Sequence, residues 1–100
     1  MKMNIRKTGI TDPVAAANAL SADGYSVYDW QDFPGASYPP HTHAGDEARW
    51  VVRGDIVFGV DGQEYVLGPG DVCYLPANVP HSARTEKGVA YVCGTRAPRE

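Results

Sequence analysis

The stretch Gly35-Ala-Ser-Tyr-Pro-Pro-His41-Thr-His43-Ala-Gly-Asp-Glu47 decides how the rest of this chain is interpreted. His41 and His43 are two residues apart, so on an extended strand both imidazoles point to the same face. Glu47 follows four residues later and keeps the same parity if no bend intervenes. Imidazole and carboxylate groups together suit a divalent first-row transition metal. The stretch therefore predicts the larger part of a metal site that needs another ligand from elsewhere.

The remaining histidine of the chain is His81, about forty residues beyond the first pair. It follows the loop Pro76-Ala-Asn-Val-Pro80, which we expect to deliver it at the start of a different strand. Because one strand cannot surround a metal, a ligand on a second strand is what the site requires. His81 is therefore the candidate that completes it.

Composition limits the classes of protein that this sequence can belong to. A length of 100 residues favours one domain, and 11 glycines with 8 prolines fit short strands and tight turns. The net charge of −3 provides no basic field for a nucleic-acid backbone. No apolar run reaches the ~20 residues of a membrane helix, and no secretory segment follows the start. We therefore expect a cytoplasmic protein in which Cys73 and Cys93 are buried, reduced thiols.

The hydrophobic pattern is that of a β protein with one short helix. Thr11-Asp12-Pro13 is typical of a helix start, and Gly24 is placed to end the helix. From Tyr25 onward, short alternating segments follow one another at spacings of roughly eight to twelve residues, with turn residues between them. Asp61-Gly62 predicts a type I′ hairpin turn. This pattern predicts an antiparallel sandwich or barrel.

The spacing around the opening stretch matches the first motif of a known family. Five residues separate Gly35 from His41, and three residues separate His43 from Glu47. Six further residues lead to Gly54. The chain in this region resembles a small single-domain cupin.

A second cupin motif is matched further along the chain. Gly70, Pro76 and His81 stand at its spacing. Asn78 replaces a glycine of the motif, a mild departure because asparagine tolerates the left-handed backbone that glycine usually supplies. Thr85 replaces a final asparagine, which puts only the end of that strand in doubt. The resemblance covers about residues 34–93.

The resemblance implies an all-β double-stranded β-helix, a jelly-roll barrel, with a short N-terminal helix. It implies one cupin domain over residues 1–100, with an N-terminal segment at 1–24 and the barrel at 25–95. It also implies that His41, His43, Glu47 and His81 hold a divalent transition metal: Fe, Mn, Ni, Zn, Co or Cu. For Glu47 an alternative stays open, in which it swings away and serves as a base while three histidines hold the metal.

Two further features concern the surroundings of this site. Arg49 shares the parity of Glu47, so it could fork onto a substrate carboxylate, pair with Glu47 or Asp46, or be twisted outward. Aromatic side chains are expected to fill the barrel, with one or two facing a pocket: Tyr74, Tyr91, Trp30, Trp50 and Phe58. An outward aromatic face formed by Tyr28, Trp30 and Trp50 favours a homodimer unless the short helix covers it.

Three classes of function are compatible with the sequence. The first is a metal-dependent enzyme, a dioxygenase, isomerase, lyase or decarboxylase acting on a small oxygenated or acidic metabolite. The second is a module that binds a metal or small ligand without turnover, which the absence of a long insertion for a lid favours. The third is a purely structural barrel, which the presence of all four ligand types disfavours. Neither a nucleic-acid nor a membrane partner is expected.

Overall fold

The computed structural model describes residues 3–97, which form two antiparallel sheets and one helix. The elements in chain order are β1 (Asn4–Lys7), α1 (Pro13–Ala22), β2 (Ser26–Asp32), β3 (Ser37–His41), β4 (Asp46–Gly54), β5 (Ile56–Val60), β6 (Gln63–Leu67), β7 (Asp71–Leu75), β8 (His81–Arg84) and β9 (Val89–Arg96). The five-stranded sheet has the order β1-β7-β4-β9-β2, and the four-stranded sheet has the order β3-β8-β5-β6. The predicted all-β jelly roll with a short N-terminal helix is confirmed.

The division into a segment at 1–24 and a barrel at 25–95 stays a prediction. Strand β1 precedes residue 25 and pairs with β7, while residues 1–2 and 98–100 lie outside the described part of the chain.

Local sequence signals set the start of the helix and the tightest hairpin. The side chain of Asp12 accepts a hydrogen bond from the backbone N–H of Val14 at 3.2 Å, and Pro13 opens α1. Asp61 and Gly62 have φ values of 53° and 75°, as a type I′ turn between β5 and β6 requires.

Within residues 3–97, no helix combines the length and apolar character needed to cross a bilayer.

Two buried clusters hold the sheets and the helix together. One fills the space between the sheets, with Val51, Ile56, Phe58 and Cys93 among its members. The other lies on the outer face of the five-stranded sheet, where Ala16 and Leu20 of α1 pack with Trp50, Val72 and Val92. Strand β4 therefore presents alternate residues to the barrel interior and to the helix, as its sequence parity predicted.

The structure corrects the proposed outward aromatic face. Trp50 does face outward, but it is covered in the cluster under α1. Tyr28 and Trp30 pair in register with Cys93 and Tyr91, which face the barrel interior. Tyr28 and Trp30 therefore also face the interior, on the opposite side of the sheet from Trp50. The prediction was wrong because alternation along β2 does not reveal which face of an edge strand is inward. The homodimer stays a prediction without this support.

Gly54 shows how tightly the sheet ends are packed. It has a φ of +78°, and a Cβ atom there would overlap the backbone oxygen of Gly88. We expect Gly54→Ala to destabilise the fold by more than the ~1–3 kcal/mol that left-handed backbone strain alone costs. Chemical denaturation would measure the free energy of unfolding. The matched control is Gly62→Ala, because Gly62 has a φ of +75° and open space around it. Equal destabilisation by both changes would contradict the packing claim.

Candidate metal centre

Three imidazole rings meet between the sheets at one end of the four-stranded sheet. His41 ends β3 and His81 begins β8, and the two are register partners. His43 lies in the loop after β3, where the backbone N–H of Asn78 donates to its carbonyl oxygen at 2.8 Å. Ring centroids are separated by 4.8 Å for His41 and His43, 4.4 Å for His41 and His81, and 5.1 Å for His43 and His81.

The local backbone explains how these rings are delivered. Pro39 and Pro40 lie within β3, which is an edge strand, and its register with β8 shifts between Tyr38 and His41. The extended strand stops at His41, so the expectation that one strand carries both His41 and His43 was only partly right. Asn78 has a φ of 65°, the left-handed conformation that its place in the second motif requires.

Hydrogen bonds to the backbone leave Nε2 free in two of the three rings. Nδ1 of His41 lies 2.7 Å from the carbonyl oxygen of Pro39, and Nδ1 of His81 lies 2.9 Å from that of Val79. A carbonyl oxygen only accepts, so Nδ1 carries the proton and Nε2 keeps its lone pair. His43 Nε2 is buried, and it is the only such side-chain atom without a hydrogen-bond partner in the described part of the chain.

These features fit a bound metal ion. One ligand atom from each of His41, His43 and His81 lies within 4.8 Å of the other two. Neutral imidazole nitrogens whose other ring nitrogen is held by a backbone carbonyl form the usual arrangement of metal-binding histidines. The orphaned Nε2 of His43 would otherwise be an uncompensated buried acceptor. His41, His43 and His81 could therefore bind a divalent metal.

Burial lowers the pKa of His81, and it also lowers the pKa of His43 despite the opposing effect of Glu47. Both rings therefore stay neutral in the fold at pH values where an exposed histidine begins to protonate. We expect the free energy of unfolding of the metal-free protein to fall as pH drops below about 6.5, because the unfolded chain then binds more protons than the folded chain. Urea denaturation between pH 5 and 8 would measure this slope. A free energy of unfolding that stays constant with pH, in wild type as in His81→Gln, would contradict this prediction.

Glu47 and Arg49 lie beside the three rings and pair with each other. The Nη2 atom of Arg49 donates to Glu47 Oε1 at 2.5 Å, and Glu47 Oε2 lies 3.5 Å from His43 Nδ1. Both side chains are largely buried, with exposed fractions of 14% for Arg49 and 11% for Glu47. The cluster of mutually close ligand atoms in residues 3–97 consists of the three histidines and does not include Glu47. The role of Glu47 as fourth ligand stays a prediction.

A cavity of about 290 Å³ adjoins the imidazoles. Its polar and aromatic wall consists of Tyr28, Trp30, Tyr38, Arg49, Phe58 and Tyr91, together with the three histidines. The partly exposed members, Tyr28, Trp30 and Tyr38, belong to the edge strands β2 and β3. The cavity therefore opens along the seam between these two strands. Arg49 lines it, as its parity allowed.

The sequence prediction of the aromatic lining was partly right. Trp30, Phe58 and Tyr91 line the cavity, whereas Trp50 and Tyr74 pack in the outer cluster beside α1. Sequence reasoning missed Tyr38, which lies three residues before His41, and Asp32, a buried carboxylate behind the cavity wall. The alternation of Tyr28, Trp30 and Asp32 was the available signal, because it places all three on one face of β2.

The comparison with known families agrees with this geometry. A family model for the cupin domain matches residues 30–93, which include all three histidines. The chain belongs to the cupin family. The crystal structure of a cupin superfamily protein from Desulfitobacterium hafniense superposes with a TM-score of 0.67 at 18% identity, covering 96% of this chain and 78% of that one. At that identity the likeness supports the fold alone.

Two curated relatives are enzymes by name. An acireductone dioxygenase from Rhodopseudomonas palustris is 44% identical over 61 residues, which are 52% of this chain and 37% of that protein. Dimethylsulfoniopropionate lyase DddQ from Ruegeria pomeroyi is 29% identical over 73 residues, which are 72% of this chain and 36% of that protein. The cupin thus spans about a third of the length of these relatives.

Proposed function

We propose that this cupin is a metalloenzyme that binds one divalent transition metal through His41, His43 and His81 and acts on a small oxygenated or acidic metabolite. The observation that carries the proposal is the convergence of three free imidazole nitrogens beside a cavity. Among the reaction classes expected from the sequence, dioxygenase and lyase are supported by the names of the two relatives. The identity of the metal is left to experiment.

The chain's own residues suit binding and orientation of an acidic small molecule. Arg49 is the cationic side chain of the cavity wall and has guanidinium N–H groups beyond those that bond Glu47 and the carbonyl oxygen of Ala48. We assign Arg49 the role of donating hydrogen bonds from its guanidinium group to a carboxylate or enolate oxygen of the substrate. The cavity volume of about 290 Å³ limits that substrate to a small metabolite. When bound, the metal would supply Lewis-acid polarisation and, if redox-active, chemistry with dioxygen.

Two alternative roles for Glu47 are compatible with this proposal. It can turn from Arg49 to become a fourth ligand, or it can stay on Arg49 and orient His43 through Nδ1. In the first case, metal binding frees Arg49 for the substrate. In the second, Glu47 acts as the partner that fixes ring orientation, a role whose loss typically costs about 10- to 100-fold in metal affinity.

The proposal is tested by metal analysis followed by turnover assays. Protein purified from its own host would be analysed for metal and then supplied with small diketones, diols and hydroxy acids while dioxygen is monitored. Substrate-dependent dioxygen consumption by an iron-loaded protein would support a dioxygenase. Product formation without dioxygen consumption would support a lyase or isomerase. Absence of stoichiometric metal would overturn the proposal.

A second candidate is a module that binds metal or ligand without turnover. The observation that favours it is the open seam, where Trp30 is 51% exposed, because a site so accessible to water lacks the exclusion that many reactions need. A metal-loaded protein that binds chelating acids but converts none of the panel would support this candidate.

A cytoplasmic location and a homodimer are also parts of this proposal. The dimer is supported by Phe33, which directly follows β2 and is 75% exposed. Light scattering of the purified protein would test it, and a mass near 10.8 kDa would contradict it.

A further inference from the structure

A buried carboxylate outside the histidine cluster organises the aromatic wall of the cavity. Asp32 ends β2 and is 5% exposed. Its Oδ1 accepts hydrogen bonds from Trp30 Nε1 at 3.0 Å and from the Tyr38 hydroxyl at 2.5 Å, and its Oδ2 accepts one from the Tyr91 hydroxyl. All three donors are neutral groups, and all three residues line the cavity.

The position of Asp32 distinguishes it from an ordinary structural carboxylate. Its partners come from three strands, and Tyr38 belongs to the opposite sheet from Trp30 and Tyr91. Asp32 itself is not among the residues that line the cavity, so it acts on the cavity through these three side chains. The carboxylate thus connects the two edge strands at the seam and fixes the direction of each hydrogen it receives.

The direction of these hydrogen bonds determines what the wall offers to a bound molecule. A phenol has one O–H hydrogen and two acceptor lone pairs, so a phenol that donates to Asp32 presents only an acceptor elsewhere. The Asp32 hydrogen bond raises the pKa of Tyr38, and burial together with this hydrogen bond raises the pKa of Tyr91. Both phenols therefore keep their hydrogens over the physiological range. Trp30 has its single N–H committed in the same way.

We infer that Asp32 is a positioning residue that makes the Tyr38 and Tyr91 side of the cavity a hydrogen-bond acceptor, so that the site selects small molecules bearing a hydroxyl or N–H group where they meet these two phenols. This inference rests on the proposed function, because it assumes that the bound molecule has its chelating oxygens at the metal. The cavity wall then has a hydrogen-bond donor region at Arg49 and a hydrogen-bond acceptor region at the phenol oxygens.

The test uses two probes that differ in a single O–H hydrogen. Kojic acid and the ether in which its hydroxymethyl group becomes methoxymethyl are hydroxypyranones with the same chelating oxygens, but only kojic acid can donate a hydrogen bond from the substituent at the other end of the ring. Their affinities for the zinc-loaded protein would be measured by calorimetry. Wild type should bind kojic acid about three- to tenfold more tightly than the ether, the range expected for one hydrogen bond.

Asp32→Asn isolates the direction of the hydrogen bonds. The amide keeps the size of the carboxylate, but an NH2 group in place of Oδ2 would donate to Tyr91 and turn the phenol hydrogen toward the cavity. The substituent oxygen of either probe can accept from the turned Tyr91 hydroxyl, so the preference for kojic acid should fall by at least about twofold, while zinc content stays at the wild-type level. Asp29→Asn is the matched control, since Asp29 is exposed on the other face of β2, and it should keep the wild-type preference.

A purely structural role for Asp32 would weaken both probes alike and leave their ratio unchanged. That result in a folded, zinc-loaded Asp32→Asn protein would overturn the inference, as would the absence of any preference in wild type. If Asp32→Asn does not fold, the double variant Tyr38→Phe with Tyr91→Phe decides the question, because it keeps both rings and removes both acceptor oxygens; retention of the preference would overturn the inference. A wild-type protein that takes up no zinc would overturn the proposed function and this inference with it.

Discussion

Replacing His81 by alanine should lower the affinity of the protein for zinc or cobalt by at least about 100-fold. The change removes one of three converging imidazole nitrogens, whereas loss of a partner outside the ligand shell already costs about 10- to 100-fold. His81 is 4% exposed at the start of β8, and its ring orientation is fixed by the carbonyl oxygen of Val79. Competition against a chelator of known affinity would measure the change.

Lys87→Ala is a suitable control for this measurement, because Lys87 is exposed in the turn before β9. It should leave the affinity for metal unchanged. The thermal transition of the metal-free His81→Ala protein would show whether the fold is retained. Full metal occupancy in a folded His81→Ala protein, shown by elemental analysis, would exclude His81 as a ligand.

Removing Arg49 should produce the largest loss of stability among these variants. Arg49 and Glu47 form a buried ion pair, and removal of one partner leaves an uncompensated buried charge at a typical cost of about 3–5 kcal/mol. Arg49→Met keeps much of the apolar stem and removes the guanidinium group. Chemical denaturation of the metal-free protein would give the change in the free energy of unfolding.

The double variant Arg49→Met with Glu47→Gln is the matched control, because it removes both charges. It should recover most of the stability that Arg49→Met loses. A loss below about 1 kcal/mol for Arg49→Met would show instead that the pair behaves like an exposed ion pair.

Adding metal to the Arg49→Met protein distinguishes the two roles proposed for Glu47. If Glu47 can bind the metal, the ion compensates the orphaned carboxylate and restores more stability to Arg49→Met than it adds to wild type. If Glu47 only orients His43, the stabilisation by metal should be equal in the two proteins. The comparison uses denaturation curves at matched free metal concentrations.

The residues that fix the fold were readable from the sequence because they act locally. Asp12 and Pro13 start α1, Asp61-Gly62 make a hairpin turn, and Asn78 adopts the left-handed conformation that its motif position requires. Each depends on the chemistry of one or two residues and its immediate neighbours. The convergence of His41 and His81 was also anticipated, through the spacing of the two cupin motifs and not through periodicity.

What the sequence did not reveal depends on contacts between distant strands. The inward face of β2 is set by its pairing with β9, so the sequence assigned Tyr28 to the wrong side and offered Trp30 for both sides. Asp32 has the appearance of a turn residue before Pro34-Gly35, and only the approach of Tyr38 and Tyr91 makes it a buried acceptor. The pairing of Arg49 with Glu47 was one of several possibilities, since parity places both side chains inward without choosing their partners.

Nitrogen NMR of histidine-labelled protein tests the metal centre most directly, because the chain has three histidines and all are assigned to the site. Long-range proton–nitrogen spectra would be recorded before and after one equivalent of zinc. We expect Nε2 of His41, His43 and His81 all to shift to values of metal-bound imidazole nitrogens, while Nδ1 of His41 and His81 stay protonated. A spectrum in which any of the three Nε2 signals remains that of a free imidazole at full zinc occupancy would contradict it.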